Sequence, residues 1–142
     1  MPIRRKRGEA RPALWSDWAA ALKDIDNSVI VDFFQRELTA GRENYLRKRI
    51  LRYRVNGKRR YDVVAHAKRA YVWQRGRFKD DDKFWTVKIG AQADVKPVKD
   101  GRALRFYLVS AEDFVRFSNA LENDLRSVEF LDTDELPDVE VE

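Results

Sequence analysis

Apolar residues recur along this chain first at a helical period, then at every second residue, and at its far end at a helical period again. Leu14, Trp15, Trp18, Ala19 and Leu22 have the spacing of one face of a short helix over residues 13–23. Asp26, Asn27 and Ser28 then offer N-caps for a second helix over 28–40, with Ile30, Phe33, Phe34 and Leu38 as its buried stripe. Gly41 is placed as its left-handed stop, and the adjacent Phe33 and Phe34 are expected to anchor the helix on a sheet.

Between Asn44 and Lys79 the period changes to two, with Tyr45, Leu51, Tyr53, Val55, Tyr61, Val63, Tyr71 and Trp73 alternating with charge. Asn56-Gly57 between two alternating runs is a hairpin signal, because both residues tolerate positive φ. A two-residue loop would set Tyr53 opposite Arg60 and mix the two faces. A three-residue loop, Asn56 to Lys58, instead sets Tyr53 against Tyr61, Leu51 against Val63, Arg52 against Asp62 and Ile50 against Val64. A one-residue slip turns every side chain over, so the apolar face selects this second register, with a bulge at the loop. It also places Arg54 directly opposite Arg60, a repulsive pair that a bound anion or simple splaying into water would relieve.

Further strands are predicted at Ala70–Gln74, at Phe84–Ala91 with Trp85, Val87 and Ile89 on one face, and at Ala103–Val109. The Arg75–Lys83 stretch reads as turn, with Asp80, Asp81 and Asp82 in water, and 92–102 as a loop. Ser110 with Asp113 makes a capping box for a last helix whose stripe is Phe114, Phe117, Leu121, Leu125 and Val128. The predicted fold class is α+β: a mostly antiparallel five-stranded sheet with helices packed on one face, in the order α-α-β-β-β-β-β-α. A basic disordered arm is expected over 1–12, one globular domain over 13–128, and an acidic disordered tail over 129–142.

Charge changes the picture. Residues 42–79 hold fourteen of the 29 Lys and Arg residues against Glu43 and Asp62 alone, a net +12. Ten of those fourteen are arginine, which favours bidentate phosphate or guanine contacts over simple charge. The tail from Glu129 has seven acidic residues and no basic one, so the body before it also carries +12. A basic body with an acidic tail suits a polyanion binder, and it also serves solubility. No apolar run is long enough to cross a bilayer, and the absence of cysteine excludes disulfides, thiolate nucleophiles and Cys-based metal sites. Both point to a cytoplasmic protein.

Catalytic constellations are scarce. A single histidine, His66, excludes sites built on paired histidines, and neither a Walker-type loop nor GxGxxG is present. A helix followed by a strand with Asp62, and then by the strand carrying Val72-Trp73-Gln74-Arg75-Gly76, resembles the core of the PD-(D/E)XK nucleases. The resemblance implies Asp62 as the first metal-binding acid. Gln74 stands where the second carboxylate belongs, however, and Gly76 where the lysine belongs.

The expected function is a small nucleic-acid-binding domain, DNA or RNA, without catalysis of its own and without cofactor or metal. Its Arg-rich β-ribbon is expected to contact phosphates through Arg47, Arg49, Arg52, Arg54, Lys58, Arg59, Arg60, Lys68, Arg69, Arg75 and Arg77. Tyr45, Tyr71 and Trp73 could stack on bases of a single strand, although Trp73, Tyr53 and Tyr61 are expected in the core. The alternatives are an adaptor or inhibitor subunit of a nucleoprotein complex, docking the same basic face on an acidic protein surface, and a degenerate nuclease of the PD-(D/E)XK type.

Overall fold

The computed structural model describes residues 14–55, 57–76 and 80–122. The predicted arm, Leu125 and Val128 of the last helix's stripe, and the tail itself lie outside them. Four helices are present among these residues: α1 (Trp15–Ala21), α2 (Ser28–Thr39), α3 (Asp81–Ile89) and α4 (Ala111–Glu122). Six strands accompany them: β1 (Asn44–Tyr45), β2 (Ile50–Val55), β3 (Lys58–Ala65), β4 (Ala70–Arg75), β5 (Lys96–Val98) and β6 (Ala103–Leu108). They form one antiparallel sheet in the order β1-β2-β3-β4-β6-β5. The α+β class therefore holds, with six strands in place of five.

Two strands that the alternation did not mark, β1 and β5, sit at the sheet edges. Both are too short for a period to show, and Pro97 in β5 is tolerated because an edge strand has an unpaired side. The larger correction is α3, where residues 84–91 were expected to be a strand. Trp85 and Ile89 are buried, as alternation required, but they are also four apart and share a helical face with Asp81. Val87, the position that would decide between the two periods, is 83% exposed. Short apolar windows leave this choice open, and here β4 pairs directly with β6, so no gap remains for another strand. Asp81 and Asp82 favour the helix start and Lys88 its end.

The other helices follow their local signals. Asn27 caps α2, its Oδ1 accepting from Val29 N at 3.0 Å, and Gly41 closes the helix with φ +84°. Ser110 Oγ accepts from Asp113 N at 3.1 Å while Asp113 Oδ2 accepts from Ser110 N at 3.1 Å, the reciprocal cap expected of that pair.

All the helices pack on one sheet face. Leu51, Tyr53, Tyr61, Val63, Val72, Leu104 and Phe106 point into that layer with Trp18, Phe33, Phe34, Trp85 and Phe117. Trp85 stacks on Phe106 at 4.7 Å, and Phe33 meets Phe114 at 4.5 Å. The opposite face carries a smaller apolar patch, Ile50, Val64, Trp73 and Ala103 flanked by Tyr45, Tyr71 and Val98, and every member comes from a strand or the loop ends beside it. No described helix covers it.

Candidate nucleic-acid interface

The hairpin settles where the ribbon's arginines go. From Ile50 to Tyr53 the pairing is the expected one, Ile50 with Val64, Leu51 with Val63, Arg52 with Asp62 and Tyr53 with Tyr61. The register then shifts between Tyr53 and Arg54, so Arg54 pairs with Arg59 and Val55 with Lys58. The extra residue is absorbed within the strand, at Arg60, and not in the loop. A bulge leaves one residue outside the ladder and re-aims its side chain. Arg60 is accordingly buried, donating from Nη1 to Arg75 O and lying 3.8 Å from Asp81. The expected Arg54–Arg60 repulsion does not arise.

Asp81 is itself fully buried, not the solvated turn residue expected, and it accepts from Gln74 Nε2 at 2.7 Å. Gln74 Oε1 in turn accepts from Trp85 Nε1 at 2.7 Å. Arg60, Asp81, Gln74 and Trp85 thus form an internal polar cluster that locks α3 to the sheet.

A second network runs along the uncovered face. Arg54 donates to Glu43 at 3.0 Å, and Glu43 lies 3.6 Å from Arg52. Arg52 donates to Asp62 at 2.9 Å, and Asp62 lies 3.7 Å from Arg75. Tyr45 OH donates to Glu43 at 2.7 Å and accepts from Arg52 at 3.1 Å. Burial pushes the Glu43 carboxyl up, but hydrogen bonds from Arg54 and Tyr45 and the charges of Arg54 and Arg52 leave it below its ordinary value. The alternation of sign along this chain of side chains consumes most of its positive charge. A cleft of about 490 Å³ lined by Arg42, Glu43, Arg52 and Arg54 opens beside it, and its cations are already paired with carboxylates.

The proposed phosphate contacts therefore divide. Arg52, Arg60 and Arg75 are interior and face carboxylates, so they do not offer a phosphate surface. Arg47, Lys68 and Arg69 are exposed at one end of the sheet, joined by half-buried Arg49, which pairs with Asp24 at 3.1 Å. Arg54, Lys58 and Arg59 lie at the other end, with Arg54 exposed and the other two half-buried. Six residues of β2 separate the groups, roughly 20 Å at about 3.3 Å per residue. Arg77 falls outside the described residues. The turn bearing Lys68 and Arg69 is held by Asn27, whose Nδ2 donates to Lys68 O at 3.2 Å and to Val109 O at 2.9 Å.

The nuclease-like residues are not brought together. Asp62 pairs with Trp73 on the uncovered face, and Gln74 pairs with Tyr61 on the helix face. Asp62 is moreover neutralised by Arg52 and Arg75. Among the described residues no three His, Asp or Glu side chains converge as metal ligands.

Residues that the charge count overlooked complete the uncovered face. Cross-strand register places Arg52, Asp62, Trp73, Arg105 and Lys96 in one row and Ile50, Val64, Tyr71 and Tyr107 in the next. Tyr71 and Tyr107 meet edge to face at 4.8 Å, and His66 stacks on Tyr71 at 4.1 Å. Arg69 lies 3.7 Å above the Tyr107 ring. Arg105 and Tyr107 alternate with Leu104, Phe106 and Leu108 in the sequence, so their shared face was legible there; that it joins Tyr71 and Trp73 was not. Searches of family models, curated proteins and solved structures returned no match to this chain.

Proposed function

We propose that this chain is a small nucleic-acid-binding domain, without catalysis of its own, that engages phosphates through cations at the two ends of its sheet. The supporting observation is the division of labour between the sheet faces. The helix layer takes one face for the core, and the other keeps arginines, lysine and tyrosines under no described helix. The proposed contacts are Arg47, Lys68 and Arg69 at one end and Lys58 and Arg59 at the other, together with Arg49 and Arg54, which are partly engaged by Asp24 and Glu43. Such a protein belongs in the cytoplasm, beside nucleoid or nucleoprotein.

Binding of labelled DNA and RNA across a salt series tests this. Engagement of about five duplex phosphates gives a log–log slope of roughly −4.5. An affinity indifferent to salt overturns the proposal. So does an acidic protein partner that stays bound in excess nucleic acid, which would assign the same surface to an adaptor.

A further inference from the structure

The two halves of the uncovered face differ in how their polar groups are spent. On β2 and β3 the guanidinium of Arg52 has acceptors in Asp62 and Tyr45, and Arg54 has one in Glu43. On β4 and β6, Trp73 and Arg105 are direct cross-strand partners. Trp73 Nε1 and Arg105 Nε are both sealed from solvent, and neither donates to any described atom. Trp73 is 6% exposed, and an unmet buried donor is destabilising. Two such donors on paired strands have no acceptor among the described residues, and an acceptor reaching them must enter where the face is uncovered.

Immediately beyond them lie three rings and two further cations suited to one kind of ligand. Tyr71, Tyr107 and His66 form a stacked cluster, with Trp73 two residues along β4. Arg69, from its exposed turn, lies over Tyr107 and is 5.5 Å from Tyr71, and Arg105 Cζ is 5.2 Å from Tyr107. Lys96 is exposed beside Arg105 on the edge strand. Tyr107 is only 5% exposed, so a base reaches its ring only where the Arg69 guanidinium, 3.7 Å from the ring centroid, moves aside. A base stacked on an aromatic side chain is generally held more strongly than the cation–π contact of an exposed arginine, so the exchange is favourable. A duplex keeps its bases stacked inside and offers a flat sheet only phosphates; an unpaired strand offers both bases and acceptor oxygens.

We infer that the β4–β6 half of the uncovered face binds single-stranded nucleic acid, bases stacking on Tyr71 and Tyr107 while a phosphate or base oxygen accepts from Trp73 and Arg105. This rests on the nucleic-acid-binding reading and names its substrate class and its face.

The test is fluorescence anisotropy of the full chain with oligothymidylate and oligouridylate of about twenty nucleotides, and with a duplex of the same length. Single strands are expected to bind at least about tenfold more tightly than the duplex, the two single-strand arms deciding between DNA and RNA. Trp73→Phe keeps the ring shape and removes the donor, and Arg105→Gln removes the charge; each is expected to weaken single-strand binding about 5- to 20-fold. Tyr71→Phe should bind as the parent does, and Tyr71→Leu should lose about tenfold, with circular dichroism confirming the fold. Tighter binding to duplex, or face variants that bind like the parent while Arg47→Gln/Arg54→Gln/Arg59→Gln abolishes binding, overturns this inference and leaves the broader function standing. Failure of every oligonucleotide to bind overturns both.

Discussion

Arg52 donates from Nε to Asp62 Oδ1 at 2.9 Å, and each of the two side chains is more than nine-tenths buried. An ion pair this deep is a consequence of strand register, since Arg52 and Asp62 are direct cross-strand partners. Burial alone would lower the Arg52 pKa, but the hydrogen bond and charge of Asp62, with smaller contributions from Tyr45 and Glu43, raise it.

Breaking that pair from one side should therefore be expensive. Asp62→Leu or Arg52→Leu alone is expected to destabilise by about 3–5 kcal/mol, while the double variant recovers part of the loss, since Arg52 and Asp62 leave together and only buried Arg75 loses its Asp62 partner. Denaturant titration of the three variants reads the coupling. Equal losses in single and double variants would remove the pair's structural role.

The Gln74 amide bridges Trp85 and Asp81, so a change there reaches α3 through two contacts. Gln74→Leu is expected to cost about 2–4 kcal/mol, since Trp85 Nε1 loses its acceptor and the Asp81 carboxylate a donor. Gln74→Glu introduces a second carboxylate beside Asp81 and should be worse at neutral pH than in mild acid. Thermal melts at two pH values check both.

Asn27 separates into two functions by substitution. Asn27→Ser retains a side-chain oxygen for the α2 cap and loses the donors to Lys68 O and Val109 O; Asn27→Ala loses both. The alanine variant is expected to be less stable than the serine by about 1 kcal/mol. Amide exchange at Lys68 and Arg69 should rise in both variants, because the turn loses the side-chain bond at Lys68 O and keeps the backbone bonds from Asp26 and Asn27 to Ala67 O.

Asp113 supplies an acid limb. Burial raises its pKa, but hydrogen bonds from Val109 N, Gln92 and Ser110 outweigh that and hold it below the ordinary value. With the folded value depressed, its stabilisation is complete above the unfolded value near about 4 and is lost as pH falls through the folded one. Asp113→Asn should lower stability at neutral pH and flatten the decline below about pH 4. An unchanged acid limb would count against the role.

Local chemistry determined much of this protein from its sequence. Asn27 and the Ser110–Asp113 box marked helix starts, Gly41 marked a helix end, and alternation placed Tyr53, Tyr61 and Val63 on one buried face. Each of these signals lies within a few residues of the structure it dictates.

What tertiary structure alone decided depends on partners distant in the chain. Trp85 and Ile89 fit both periods, and only the direct pairing of β4 with β6 made α3 a helix. The bulge at Arg60 and the carboxylates of Glu43, Asp62 and Asp81 took arginines inward that charge counting had assigned to a surface. A sequence states how many charges there are. Where each one is spent is set by what folds against it, because a guanidinium stays buried only when a carboxylate or carbonyl from elsewhere is held within reach.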